Sequence, residues 1–120
     1  PDAGATWLVA QAVGRTRALE MALLGEKMEA QEAQACGLVT RVVDDAALMT
    51  TARDIAARLA NGPTVAIAMI RKQIAAALTQ GLEDTLALER ANQNRAGETA
   101  DFREALLAFA EKRAPLFKGE

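Results

Sequence analysis

The chain has 120 residues, 51% hydrophobic and 25% charged, with 14 basic against 16 acidic side chains and a net charge of −2, an ordinary balance for a globular domain. The interspersed charges leave no electrostatic footprint for nucleic acid, and no apolar run approaches the ~20 residues of a membrane helix. One cysteine, no histidine and no serine exclude a disulfide framework, a Cys/His zinc site and any Ser-His-Asp or Cys-His constellation within the chain, and favour a reducing, cytoplasmic setting.

Chemistry must then rest on carboxylates, Lys, Arg, Thr and backbone amides. Roughly a quarter of the residues are alanine, which loses no side-chain entropy in a helix, so the chain reads as mainly α. The opening PDAGATW suits a helix start, with Asp2 as an acceptor for unpaired amides. Gly14 stops that helix, and residues 15–24 form a second one with Ala18, Met21 and Ala22 on its apolar face. Gly25 follows as its terminator. Residues 29–36 (EAQEAQAC) make a short third helix ending at Gly37.

Residues 38–43 (LVTRVV) are the one stretch with strand character, rich in β-branched side chains and bounded by Gly37 and Asp44-Asp45. A lone strand cannot satisfy its backbone groups, so its partners are expected elsewhere. Asp44 or Asp45 then starts a helix to about Ala60, with Leu48, Ala52, Ile55 and Leu59 on one stripe. Asn61-Gly62-Pro63 is a sharp break, the one boundary in the chain, separating a part at 1–62 from an all-helical part at 63–120. Residues 63–78 are apolar around much of the helix, a pattern that predicts burial on more than one side. Gly81 and Gly97 bracket a helix over 82–95. Thr99 caps a last helix over 101–113 with the stripe Phe102, Ala105, Leu106 and Phe109, and Pro115 ends it before a polar tail.

Asp2 is the first candidate for chemistry. It reads either as a plain cap or as a functional acid beside the small residues Ala3, Gly4 and Ala5, which let a ligand approach the backbone. Phe109 and Lys112, three apart on one helix, read either as a core Phe beside a solvated Lys or as a ligand contact. The pairs Arg71-Lys72 and Lys112-Arg113 are too few for nucleic acid and could meet a phosphorylated small molecule. Cys36 reads as a buried packing residue, and the four methionines as core filler.

Order and spacing add a resemblance. PDAGATW is similar to a P-x-x-G-G-T turn into a helix, residues 13–20 to VGxxxAxE, residues 24–39 to TGxxxSAxEAxxxGLV, and residues 108–117 to AFxEKRxPxF. These four blocks resemble the back half of the enoyl-CoA hydratase/isomerase (crotonase) superfamily. The PDxGGTW opening is most similar to its 2-(1,2-epoxy-1,2-dihydrophenyl)acetyl-CoA isomerases. The resemblance implies the C-terminal portion of the α/β crotonase fold: residues 1–62 the back part of its core, residues 63–120 a helical oligomerisation region. It implies an acyl-CoA substrate and no separate cofactor, coenzyme A being carried by the substrate. It also implies a catalytic Asp2, with Phe109 and Lys112 contacting the coenzyme A nucleotide. A homo-oligomer, trimer or hexamer, is expected, with no membrane and no nucleic-acid partner. The oxyanion-hole amides and a second carboxylate belong to the family's front half, so these 120 residues alone are expected to be inactive. A non-catalytic helical interaction module is the alternative. Two positions depart from the pattern: Ala5 replaces the second Gly of the turn, and Glu29 replaces the usual Ser cap.

Overall fold

A computed structural model describes all 120 residues as six helices without a strand. Helix α1 (Ala5–Leu24) is broken at Gly14, whose φ of 78° and ψ of 165° lie where a Cβ is hardly tolerated. The two helices expected on either side of Gly14 are therefore its two arms. Gly25 closes the second arm by donating to the Met21 carbonyl at 3.2 Å. Helix α2 (Ala30–Ala35) starts at Glu29, which makes no side-chain cap, and ends in a Schellman turn in which Leu38 N–H reaches the Ala33 carbonyl at 2.8 Å. Then come α3 (Asp45–Ala60), α4 (Thr64–Ala77), α5 (Leu82–Gly97) and α6 (Ala100–Ala110). Thr99 caps α6 as expected, its hydroxyl accepting from Phe102 N–H at 3.1 Å.

Three local expectations change. Residues 38–43 form no strand, because nothing in the chain offers them a ladder; the Thr40 carbonyl is met only by the Gln34 side chain at 3.3 Å. Asp2 caps nothing: Ala3 and Gly4 are left-handed, with φ of 49° and 84°, and α1 begins after them with no side-chain cap. The last helix stops at Ala110, before Pro115 is reached, because Lys112 itself turns left-handed with φ of 55°.

The contacts divide the chain into two compact units, Pro1–Leu48 and Met49–Glu120. In the first, α1 and α2 are tied by Arg17, which pairs with both Glu20 and Glu32. Ala33 is its one buried apolar residue. In the second, α4 packs on α5 and α5 on α6, around Met69 and Ala108. Helix α4 does not bury more than one side: Ile70, Ile74 and Leu78 all stay exposed. Cys36 is half-buried, its Sγ 3.8 Å from Met28 Sδ, and Met49 is exposed, so neither is core. The chain exposes 9465 Å². A folded monomer of its mass would expose about 6,200 Å². Large apolar side chains are part of what stays uncovered: Leu23, Leu82, Phe109 and Leu116 are each more than 70% exposed.

Candidate functional site

The first unit holds Asp2 in a turn rather than on a helix. Ala5 N–H closes the turn on the Asp2 carbonyl at 2.8 Å, and the Asp2 side chain is exposed. Pro1, just before it, and Ala5, three residues on, line a groove of about 310 Å³ between the two arms of α1, of which Asp2 itself is not a lining residue. Val9, Ala18, Leu19 and Met21 make the rest of its wall apolar, with Thr6 and Arg15 as the polar exceptions. The break at Gly14 creates this groove, since an unbroken helix has no concave face.

Phe109 and Lys112 belong to the second unit. They were expected on one helical face, and the structure separates them: Phe109 sits on the last turn of α6, 87% exposed, whereas Lys112 stands in the turn beyond. Neither is a core residue. That turn is a Schellman motif, with Arg113 N–H on the Ala108 carbonyl at 3.0 Å and Lys112 N–H on the Phe109 carbonyl at 3.2 Å. Lys112 takes the position usually given to glycine and makes no ion pair.

Arg113, its partner in the basic pair, is fully engaged. Its guanidinium forks onto Glu104, Nη1 to Oε1 at 2.5 Å and Nη2 to Oε2 at 3.0 Å, while Nε reaches Glu111 Oε2 at 2.6 Å. Glu104 Oε1 also accepts Leu116 N–H at 2.8 Å. The Arg113 hydrogen bond, then the Leu116 amide, hold the Glu104 carboxyl down at about 2. The same bond to Glu104 pushes the Arg113 guanidinium further up. Of the pair, only Lys112 offers a charge to a ligand.

One device was not read from the sequence. Asp101, 4% exposed, accepts Lys118 N–H at 2.7 Å and Gly119 N–H at 2.9 Å, while its own N–H donates to the Glu120 carbonyl at 3.0 Å. Asp101, Glu104 and Ala108 share one face of α6, and the tail lies along it. The expected stripe of Phe102, Ala105, Leu106 and Phe109 splits: Leu106 and Phe109 face outward, 57% and 87% exposed, while Phe102 and Ala105 line a small cavity with Pro63, Val65 and Phe117. The signal was present as acids at i and i+3, a small residue at i+7 and a proline beyond. It was outweighed by the larger apolar stripe.

No helix is long and apolar enough to cross a membrane, and no group of acidic, His or Cys side chains could hold a metal ion.

All 120 residues match the enoyl-CoA hydratase/isomerase family. The chain is 43% identical over 120 residues to the 1,2-epoxyphenylacetyl-CoA isomerase of Escherichia coli K12, all of this chain against 46% of that protein. It is 45% identical over 119 residues to a probable enoyl-CoA hydratase of Rhodobacter capsulatus, 99% of this chain against 46% of that one. Among solved structures, an enoyl-CoA hydratase subunit I from Geobacillus kaustophilus superposes with a TM-score of 0.94 at 36% identity, covering 100% of this chain and 47% of that one. An enoyl-CoA hydratase/isomerase from Mycobacterium abscessus gives 0.95 at 34%, covering 99% and 46%. The chain thus spans about half the length of the relatives it matches. Whole-length matches to the family at this identity and superposition leave one assignment: the chain belongs to the enoyl-CoA hydratase/isomerase family, and its helices are the C-terminal portion of the crotonase fold.

Proposed function

We propose that this chain forms part of an acyl-CoA hydratase/isomerase acting on an unsaturated or ring-derived acyl-CoA thioester. The reaction moves a proton at a carbon near the thioester carbonyl, through an enolate whose oxygen is stabilised by backbone amides. Asp2 carries the proton. Phe109 and Lys112 hold the coenzyme A nucleotide, the ring against adenine and the ammonium against a phosphate. The substrate brings its own coenzyme A, so no further cofactor is needed. The enzyme works in the cytoplasm as a homo-oligomer.

The observation that carries this reading is the carboxylate of Asp2. It caps no helix and is exposed, between two residues that line the apolar groove of α1. A second reading, a non-catalytic oligomerisation module, is favoured by the exposed apolar surface, above all by Leu23, Leu82 and Phe109.

Asp2→Asn in the full natural chain separates the two. It keeps the size of the side chain and removes its basicity, so kcat on crotonyl-CoA or a dienoyl-CoA should fall by ~10²–10⁴ with KM nearly unchanged. An unaltered kcat would remove Asp2 from the chemistry. Absence of turnover by the wild-type chain on a panel of such thioesters would favour the module.

A further inference from the structure

The pair Lys112-Arg113 poses a question of selection: two adjacent cations, of which one is bound and one is not. Arg113 is held by a two-point fork on Glu104 and a third bond to Glu111. Glu104 also takes Leu116 N–H, so one carboxylate grips the chain on both sides of Pro115. Between helix and grip stands Lys112, left-handed at φ 55° and without an ion pair. A residue with a Cβ is strained on this left-handed backbone, where glycine would not be. Unless something holds it, such a turn relaxes by fraying the last helical turn. Its own two backbone hydrogen bonds and the Glu104 grip beyond it are the contacts that can hold it.

We infer that Glu104 is a positioning residue for ligand binding: it fixes the turn at 111–116 and neutralises Arg113, so that Lys112 alone presents its ammonium to a phosphate of the coenzyme A nucleotide. This rests on the proposed role of Lys112 as a nucleotide contact. Chemically the division suits the two side chains. A guanidinium matches a carboxylate at two points and stays where it is put, whereas an ammonium on a flexible stem follows a phosphate. The Arg113 hydrogen bond and the Leu116 amide hold the Glu104 carboxyl well below the usual carboxylate range, so it is ionised at neutral pH.

The test is a double-mutant cycle on the dissociation constant of coenzyme A, by calorimetry on the full natural chain. Lys112→Gly removes the ammonium and suits the left-handed backbone. Glu104→Gln keeps an acceptor for Leu116 and removes the charge that the Arg113 fork grips, leaving Arg113 paired with Glu111 alone. Each should raise Kd by about fivefold or more, and Glu104→Gln should add less than about twofold in the Lys112→Gly background, because it acts through that lysine. Full additivity would show that Glu104 acts independently of Lys112 and overturns the inference, as does a Glu104→Gln variant with unaltered Kd. If Lys112→Gly itself leaves Kd unchanged, the proposed nucleotide contact fails first and the inference falls with it, a result distinct from the other two. Should Glu104→Gln not fold, Arg113→Lys keeps the cation, loses the fork, and is read in the same cycle with the same criteria.

Discussion

Removal of the Asp101 carboxylate should release the tail and little else. Its two oxygens accept from Lys118 N–H at 2.7 Å and Gly119 N–H at 2.9 Å, in a site 4% exposed. A hydrogen bond to a charged group contributes ~1.5–3 kcal/mol net, but Lys118 is exposed, so its amide regains water when the tail lifts. One bond at nearly full value and one largely offset give ~2–3 kcal/mol for tail docking. That corresponds to roughly 30- to 150-fold faster amide exchange at residues 118 and 119 in Asp101→Ala. Leu116, held separately by Glu104, should change much less, and α4 hardly at all. Asp101→Asn, which keeps one acceptor and loses the charge, should fall between. Native-state hydrogen exchange resolves these sites. Acceleration of less than about threefold at both amides would show that the buried acid does not hold the tail, and the reasoning would be refuted.

Gly119→Ala should also undock the tail, since a Cβ there would stand 2.3 Å from Thr64 Oγ1 on a backbone at φ 78°. Adding Thr64→Ala should recover only part of the lost protection, because the left-handed backbone still costs roughly 1–2 kcal/mol. The Glu104 grip predicts a pH dependence of stated sign. The carboxyl is lowered from 4.5 to about 2, so its stabilisation is fully present above about 4.5 and is lost as pH falls from there through about 2. The Leu116 amide shift should follow that titration by NMR, and Glu104→Gln should abolish it. The 120 residues alone should not sediment as a monomer at micromolar concentration, given 9465 Å² exposed against the about 6,200 Å² expected. A clean species of 12.7 kDa with cooperative unfolding would contradict this.

What could be read from the sequence was what is decided within a few residues. Gly14, Gly25, Gly37, Asn61-Gly62-Pro63 and Thr99 punctuate the chain where expected, because each acts on the backbone immediately beside it. The candidate site residues rest on motif order, not on local physics: nothing in the sequence near Asp2 or Phe109 distinguishes them from a cap and a core ring. Non-local closure was illegible. Asp101 meets residues 17 and 18 positions away, and no periodicity encodes that return. The strand at 38–43 was misread for the complementary reason. Its side chains favour extended backbone, but a strand is a property of two segments, and this chain supplies one.

The backbone is left-handed at two residues that lie beside or among the candidate ones. Only two non-glycine residues have positive φ, Ala3 at 49° and Lys112 at 55°. Neither has the short polar side chain that makes this conformation tolerable for Asn or Asp, so each carries a cost that glycine would remove. Ala3 directly follows Asp2, and Lys112 is itself the candidate nucleotide contact. At Ala3, the left-handed turn delays α1 until Ala5 and frees the Asp2 carboxylate from capping. At Lys112, it ends α6 early and carries the lysine off the helix, where Arg113 can fold back onto Glu104. In both places the left-handed residue leaves a candidate group exposed, Asp2 beside Ala3 and the Lys112 side chain itself. Strain of this kind persists only where the surroundings over-determine it, and here the Asp2–Ala5 turn and the Glu104 grip do so. A glycine at either position would make the same turn at lower cost, but the turn would lose part of its rigidity, and at 112 the ammonium would go with it.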